Sequence, residues 1–253
     1  MKNFKNLFLA VLATGALFLT GCLHILEEVT FKNNGSGTYQ MTLDMSEMKG
    51  MMDMFKGMSS DSLNQDSSGE AGAIPPPEME GAQNNGMAEM GQQLSGVTQS
   101  LEGLAGITNV REINDTSAFK FGYTFDFANL AALNKAMKVI NKEKYDSKVE
   151  EVFRLDGKNF ERLNTGDLGE EIKKAIAQGE ESDDEGNMEM VKTFFADMTY
   201  QQIYHFPERK VKNSSNSLSE VTEDGHTLTI TLKPFDEEQQ KQKLSVSTKV
   251  KLK

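Results

Sequence analysis

The sequence predicts an α+β fold, a mainly antiparallel sheet built from hairpins with helices packed on one face. Three observations carry this. Several short runs alternate apolar and polar residues between turns rich in Asn, Asp and Gly, which is the period of a half-buried strand. Residues 119–127 put five aromatics, Phe119, Phe121, Tyr123, Phe125 and Phe127, on one side and small or polar residues on the other. A buried parallel strand would be apolar on both sides. Between these runs lie segments whose apolar residues recur every three or four positions, giving one apolar helical face.

The first element alternates Leu23, Ile25, Val29 and Phe31 with His24, Glu28, Thr30 and Lys32. The turn Asn33-Asn34-Gly35-Ser36-Gly37 is rich in residues that tolerate positive φ, and Tyr39, Met41, Leu43 and Met45 complete a hairpin. Residues 46–58 read as a helix, with Met48, Met51, Met52, Phe55 and Met58 on one face. Residues 59–93, rich in Ser, Gly, Asn, Gln and Pro, have few apolar groups to form a core and read as a disordered low-complexity insertion. Leu94, Val97, Leu101 and Leu104 predict a short helix ending near Gly103 or Gly106. The aromatic strand then pairs with 107–113 across Asn114-Asp115, and a helix follows with Leu130, Leu133, Met137 and Ile140 on one face. A second hairpin spans 152–163 around Asp156-Gly157. Two further helices are marked by Leu168, Ile172, Ala175 and Ile176, and by Val191, Phe194, Phe195 and Met198. The tail returns to strand at 200–206, at Leu228, Ile230 and Leu232, and at Leu244, Val246, Val250 and Leu252. The reading is one domain, 22–253, interrupted by the insertion and preceded by a signal segment, 1–21.

That signal segment has three parts. Lys2 and Lys5 are followed by an apolar run from Leu7 to Leu19 and then by Leu19-Thr20-Gly21-Cys22. Positive charge, apolar segment and small residues in this order read as a secretory signal, and the run is shorter than the about 20 residues a spanning helix needs. The last four residues resemble the bacterial lipobox. The resemblance implies cleavage before Cys22, a thioether-linked diacylglycerol on its sulfur and an N-acyl chain, enough for stable anchoring. Cys22 is the sole cysteine, so no intramolecular disulfide can form. Leu23 follows it where an Asp would retain an enteric lipoprotein in the inner membrane, so the analogy implies the outer membrane, periplasmic leaflet. Glu27 and Glu28 lie near the acidic positions that some Bacteroidetes lipoproteins use for surface export.

Removing residues 1–21 leaves 232 of 253 residues, and the loss of Lys2 and Lys5 takes the formal charge from −11 to −13. Such a chain is repelled by nucleic acid and by anionic headgroups, and no basic stretch is interleaved with aromatics. Trp is absent, which disfavours a stacking platform for sugars.

Motifs that carry chemistry are scarce. Residues 181–192 approach an EF-hand register, but Glu181 stands at its first position and Lys192 where the bidentate Glu belongs. A solvated acidic loop is the better reading. The methionines of 41–58 could offer thioethers to copper(I), yet their one-sided stripe is what a helix packed on a sheet requires. His24, His205 and His226 are far apart, with no metal-ligand spacing, and a solvated or hydrogen-bonded role in or beside a strand is expected for each. No nucleophile elbow, phosphate loop or dinucleotide fingerprint occurs. The expectation is therefore no catalytic residue, no cofactor and no metal site. Asp61-Ser62-Leu63 matches the Bacteroidetes O-glycosylation motif and makes Ser62 a candidate acceptor.

Cys22, a strand, Asn33-x-Gly35-Ser36-Gly37-Thr38 and a strand ending Asp44-Met45-Ser46 resemble a group of uncharacterised Bacteroidetes lipoproteins. So do FKFGYTFDFANLAALNKAM and YHFPERKVKNSSNSLSEVTEDGHTLTITL. The N-terminal hairpin is similar to the mycobacterial LppM-type lipoprotein domain, for which that resemblance implies glycolipid binding. Neither resemblance brings catalytic residues. The leading expectation is a non-enzymatic envelope lipoprotein, held by acyl chains on Cys22, that binds or scaffolds an envelope protein or lipid partner. A lipid- or glycolipid-binding module with a cavity between sheet and helices is the alternative, and an uncommon hydrolase the third. A packed core favours the first, a cavity the second.

Overall fold

A computed structural model describes residues 23–47, 49, 92, 94–140, 151–163, 197–236, 238–239 and 246–253. Strand β1 (His24–Phe31) and β2 (Gly37–Asp44) form the expected N-terminal hairpin in register, Phe31 opposite Gly37 and His24 opposite Asp44. Gly35 closes its turn at φ +81°, and Gly37 is held by space: a side chain there would collide with the Thr30 carbonyl and the Phe127 ring. Residues 94–101 form helix α1, and Gly103 and Gly106, both at positive φ, follow its end as predicted.

β3 (Ile107–Asp115) pairs antiparallel with β4 (Lys120–Phe127), and β4 pairs in turn with β2. The aromatic pattern holds for Phe121, Tyr123, Phe125 and Phe127, all buried. Phe119 departs from it: its φ is +53°, so it sits in the turn, where its carbonyl accepts the Met45 N–H at 2.9 Å. The turn is correspondingly 116–119, where Asp115 Oδ1 accepts the Ser117 and Ala118 N–H groups, rather than Asn114-Asp115. Helix α2 (Leu130–Ile140) is capped by Asn129, whose side-chain oxygen accepts the Ala132 N–H at 2.9 Å. It buries Ala132, Leu133, Ala136 and Met137 against the sheet.

The second hairpin is β5 (Phe153–Asp156) and β6 (Asn159–Arg162) around Gly157. The tail supplies β7 (Thr199–His205), β8 (Val211–Ser214), β9 (Ser219–Val221), β10 (Thr227–Leu232) and β11 (Thr248–Leu252). β8 and β9 escape the alternation argument because each is only three or four residues long.

These strands make two sheets where the sequence predicted one. The larger has the order β3-β4-β2-β1-β7-β10-β9, and the smaller β5-β6-β11-β8. Among the described residues all pairings are antiparallel except β1 with β7. The fold class is α+β, but the inner face of the large sheet is covered by the small sheet as well as by helix. Phe31 of β1 meets Phe153 and Phe160 of the small sheet at ring-centroid distances of 6.0 and 5.0 Å, and Tyr204 of β7 meets Phe160 at 5.0 Å. Periodicity within a strand cannot say which sheet the strand joins, so alternation alone does not reveal the division. Among the described residues, no helix is long and apolar enough to cross a membrane.

The expected helices at 46–58, 168–176 and 191–198 lie wholly or mostly outside the described residues, as does nearly all of the 59–93 insertion.

Candidate functional site

Alternation puts Ile25, Glu27, Val29 and Phe31 on the inner side of β1. It puts Tyr200, Gln202 and Tyr204 on the inner side of β7, with Glu27 directly opposite Gln202 in the parallel pairing. Glu27 is therefore forced into the core beside Val29, and it is 1% exposed. Its partner comes from the small sheet. Arg162 ends β6 at 6% exposure, and its Nη2 lies 3.0 Å from Glu27 Oε2. The Tyr200 hydroxyl donates to the same carboxylate oxygen and lies 3.4 Å from Arg162 Nη2. The guanidinium also stands over the Phe153 ring, 5.3 Å from its centroid.

Electrostatics follow from this burial. Removal from water is the largest influence and opposes the Arg162 charge, but the Glu27 carboxylate and the oxygens of Tyr204, Tyr200 and Tyr39 together outweigh it and hold the guanidinium pKa above its ordinary value. Burial first, and then the Glu27 charge, push the Tyr200 phenol well up, and burial does the same for Tyr39 and Tyr204. The three tyrosines stay protonated at any physiological pH. They can each donate one hydrogen bond and accept others.

The cluster is under-satisfied. Glu27 Oε1, the Tyr39 and Tyr204 hydroxyls, Arg162 Nε and Nη1, and both amide atoms of Gln202 are buried without a hydrogen-bond partner among the described residues. Gln202 lies against the Tyr200 hydroxyl and influences its titration without meeting hydrogen-bond geometry. One such orphan costs about 1–3 kcal/mol. Seven of them would rival the about 5–15 kcal/mol that holds a whole domain folded. Nothing in the sequence singled out this group. The available signal was Glu27 on the apolar face of an alternating strand, a position where a charge requires a partner.

His24 and His205 occupy the opposite, outer face of the large sheet, and His226 lies just before β10. His24 Nδ1 lies 2.7 Å from Thr199 Oγ1, and His226 Nδ1 donates to the Phe206 carbonyl at 2.9 Å. His205 stands between Glu28, with Nε2 to Oε1 at 2.6 Å, and Thr227, with Nδ1 to Oγ1 at 3.0 Å. An acid, an imidazole and a hydroxyl in line have the form of a catalytic relay. Here Thr227 and His205 are cross-strand neighbours in register, and Glu28 is a diagonal one, so a polar ladder on an open sheet face accounts for the contacts. All three histidines are hydrogen-bonded, one of the two ordinary roles expected of them.

Cys22, Ser62 and the 181–192 loop lie outside the described residues. Of the methionine stripe, Met41 packs against the core from β2, and Met48 to Met58 lie outside the described residues. Glu27 is an interior group, whereas the adjacent Glu28 is half-exposed. Among the described residues no three His, Cys, Asp or Glu side chains gather in a way that could hold a metal ion.

No family model and no curated protein matches the chain. Among solved structures, the NMR structure of the folded domain of Mycobacterium tuberculosis LppM is similar at a TM-score of 0.36 and 10% identity, over 92% of this chain and 90% of that one. A likeness that distant does not place the chain in a family.

Proposed function

We propose that this chain is a non-enzymatic envelope lipoprotein, anchored through acyl chains on Cys22, whose rigid body binds or scaffolds a partner at the periplasmic side of the outer membrane. One observation carries the reading. Leu23, the residue after the lipidation cysteine, is already part of the body: it is 7% exposed and its carbonyl accepts the Thr199 N–H at 3.1 Å. Residue 24 then opens β1, the middle strand of the seven. One residue spans at most about 3.6 Å, so the anchor leaves the body almost no freedom to move away from the lipid surface. A body fixed in this way suits a scaffold better than a catalyst that must search for substrate. The alternative, a lipid- or glycolipid-binding module, needs space over the aromatic strand. Phe121, Phe125, Phe127 and Leu133 are instead buried to 2% exposure or less, which favours the scaffold.

The test is Cys22→Ser in the native host. The wild type incorporates a palmitate analogue and sediments with the outer membrane, whereas the variant takes up no label and is released or left as uncleaved precursor. A variant that still labels and still sediments with the outer membrane overturns the anchoring.

A further inference from the structure

We infer that the Glu27–Arg162–Tyr200 cluster is a binding site for neutral hydroxylic molecules, water or the hydroxyls of a small polyol-like compound, enclosed between the two sheets. The inference stands apart from the anchoring reading, because none of its residues depends on Cys22. It rests on the seven buried atoms without partners, contributed by β1, β2, β6 and β7. Buried polar groups in folded proteins are almost always hydrogen-bonded to protein or to ordered solvent, so a concentration of orphans in one place marks a missing partner.

The chemistry of the orphans selects that partner. Arg162 Nε and Nη1 can only donate, and Glu27 Oε1 can only accept. Gln202 offers one donor group and one acceptor, and the hydroxyls of Tyr39 and Tyr204 offer both. A molecule that both donates and accepts satisfies this mixed set, and a hydroxyl is the smallest group that does. The charges of Glu27 and Arg162 already face each other at 3.0 Å. An added anion would meet the free oxygen of Glu27, and an added cation the free nitrogens of Arg162, so a neutral occupant is preferred. A buried water makes about three hydrogen bonds, so two or three hydroxyl groups suffice for all seven atoms.

A crystal structure of the mature chain, at a resolution that shows ordered water, tests this directly. Density bridging Arg162 Nε or Nη1 to Gln202 and a tyrosine hydroxyl is expected. Native mass spectrometry of the same preparation separates the sources: the bare protein mass identifies water, and a retained small neutral mass identifies a polyol-like ligand. Arg162 and Gln202 hydrogen-bonded directly to the tyrosines, with no bridging density, would overturn the proposal. Gln202→Leu gives a second reading through its sign. If hydroxyls bridge the amide, removing it strands them and lowers Tm by about 3–6 °C. If nothing binds there, leucine removes two orphaned atoms and Tm stays the same or rises, which sinks the assignment.

Discussion

The inner face of the large sheet is covered in two ways, and the contrast explains much of this molecule. Over β4, helix α2 lays Ala132, Leu133, Ala136 and Met137 beside Tyr123, Phe125 and Phe127, an almost wholly apolar contact. Over β1 and β7, the small sheet brings Arg162 down onto Glu27 and Tyr200, beside the buried Gln202 of β7. The first contact asks only that volumes match, because dispersion and burial have no direction. The second asks that every donor meet an acceptor, because an unpaired group in the interior loses its hydration for nothing. The two halves should therefore fail differently when altered.

The largest effect is expected on the apolar side. Phe125 is fully buried and stacks on Tyr39 at 5.1 Å, so Phe125→Ala leaves a cavity among side chains that cannot collapse into it. A loss of about 4–5 kcal/mol is expected in urea unfolding. A loss below about 1 kcal/mol would mean that this face is loosely filled, and would erase the contrast.

On the polar side a single change should cost slightly less, and a second should restore much of it. Arg162→Met strands the Glu27 carboxylate in the core, at a cost of about 3 kcal/mol. Adding Glu27→Leu removes the stranded charge, and the double variant should be more stable than the single one. Additive losses across the double-mutant cycle would show that the two residues do not act as a pair.

Asn134 joins the two halves. It lies in the buried face of α2, where Oδ1 accepts the Val152 and Phe153 N–H groups at 2.9 Å each and Nδ2 donates to the Phe153 carbonyl at 2.8 Å. Asn134→Ala strands these backbone groups where the small sheet begins, and a loss of about 2 kcal/mol is expected. Amide hydrogen exchange should quicken at Val152 and Phe153 first. Uniform exchange across both sheets would contradict this linking role.

The smallest effect concerns pH at the rim of the apolar half. Burial pushes the Asp44 carboxyl up, but hydrogen bonds from the Lys120 ammonium, 2.9 Å away, and from Ser46 overcome it and hold the carboxyl below its usual value. A depressed carboxylate stabilises the fold above its unfolded pKa, and the contribution is lost as pH falls through the folded value. Wild type should accordingly lose stability relative to Asp44→Asn only below about pH 4. A difference that grows toward neutral pH would have the wrong sign.

Legibility in the sequence followed the same division. The N-terminal hairpin, the aromatic strand with its β3 partner, α1, α2 and the 152–163 hairpin were all readable from period and turn residues, because these are local signals. Phe119 was misplaced by one position, since alternation continues in sequence past the point where the left-handed backbone ends the strand. The candidate site was not readable. Glu27 is drawn from β1, Arg162 from β6 and Tyr200 from β7, and no spacing along the chain connects them.

By itself the sequence determined the α+β class, the identity of most described elements and the aromatic inner face. Each of these follows from residues within one turn or one strand of one another. Tertiary structure decided the rest. It set β1 in parallel register with β7 across more than 170 positions of chain, and it divided the strands between two sheets. It also turned two adjacent glutamates to opposite fates, Glu28 to a half-exposed pairing with His205 and Glu27 to an ion pair in the core. The physical reason is that strand pairing and charge burial are fixed by which distant surfaces meet, and a local pattern is the same whichever partner it finds.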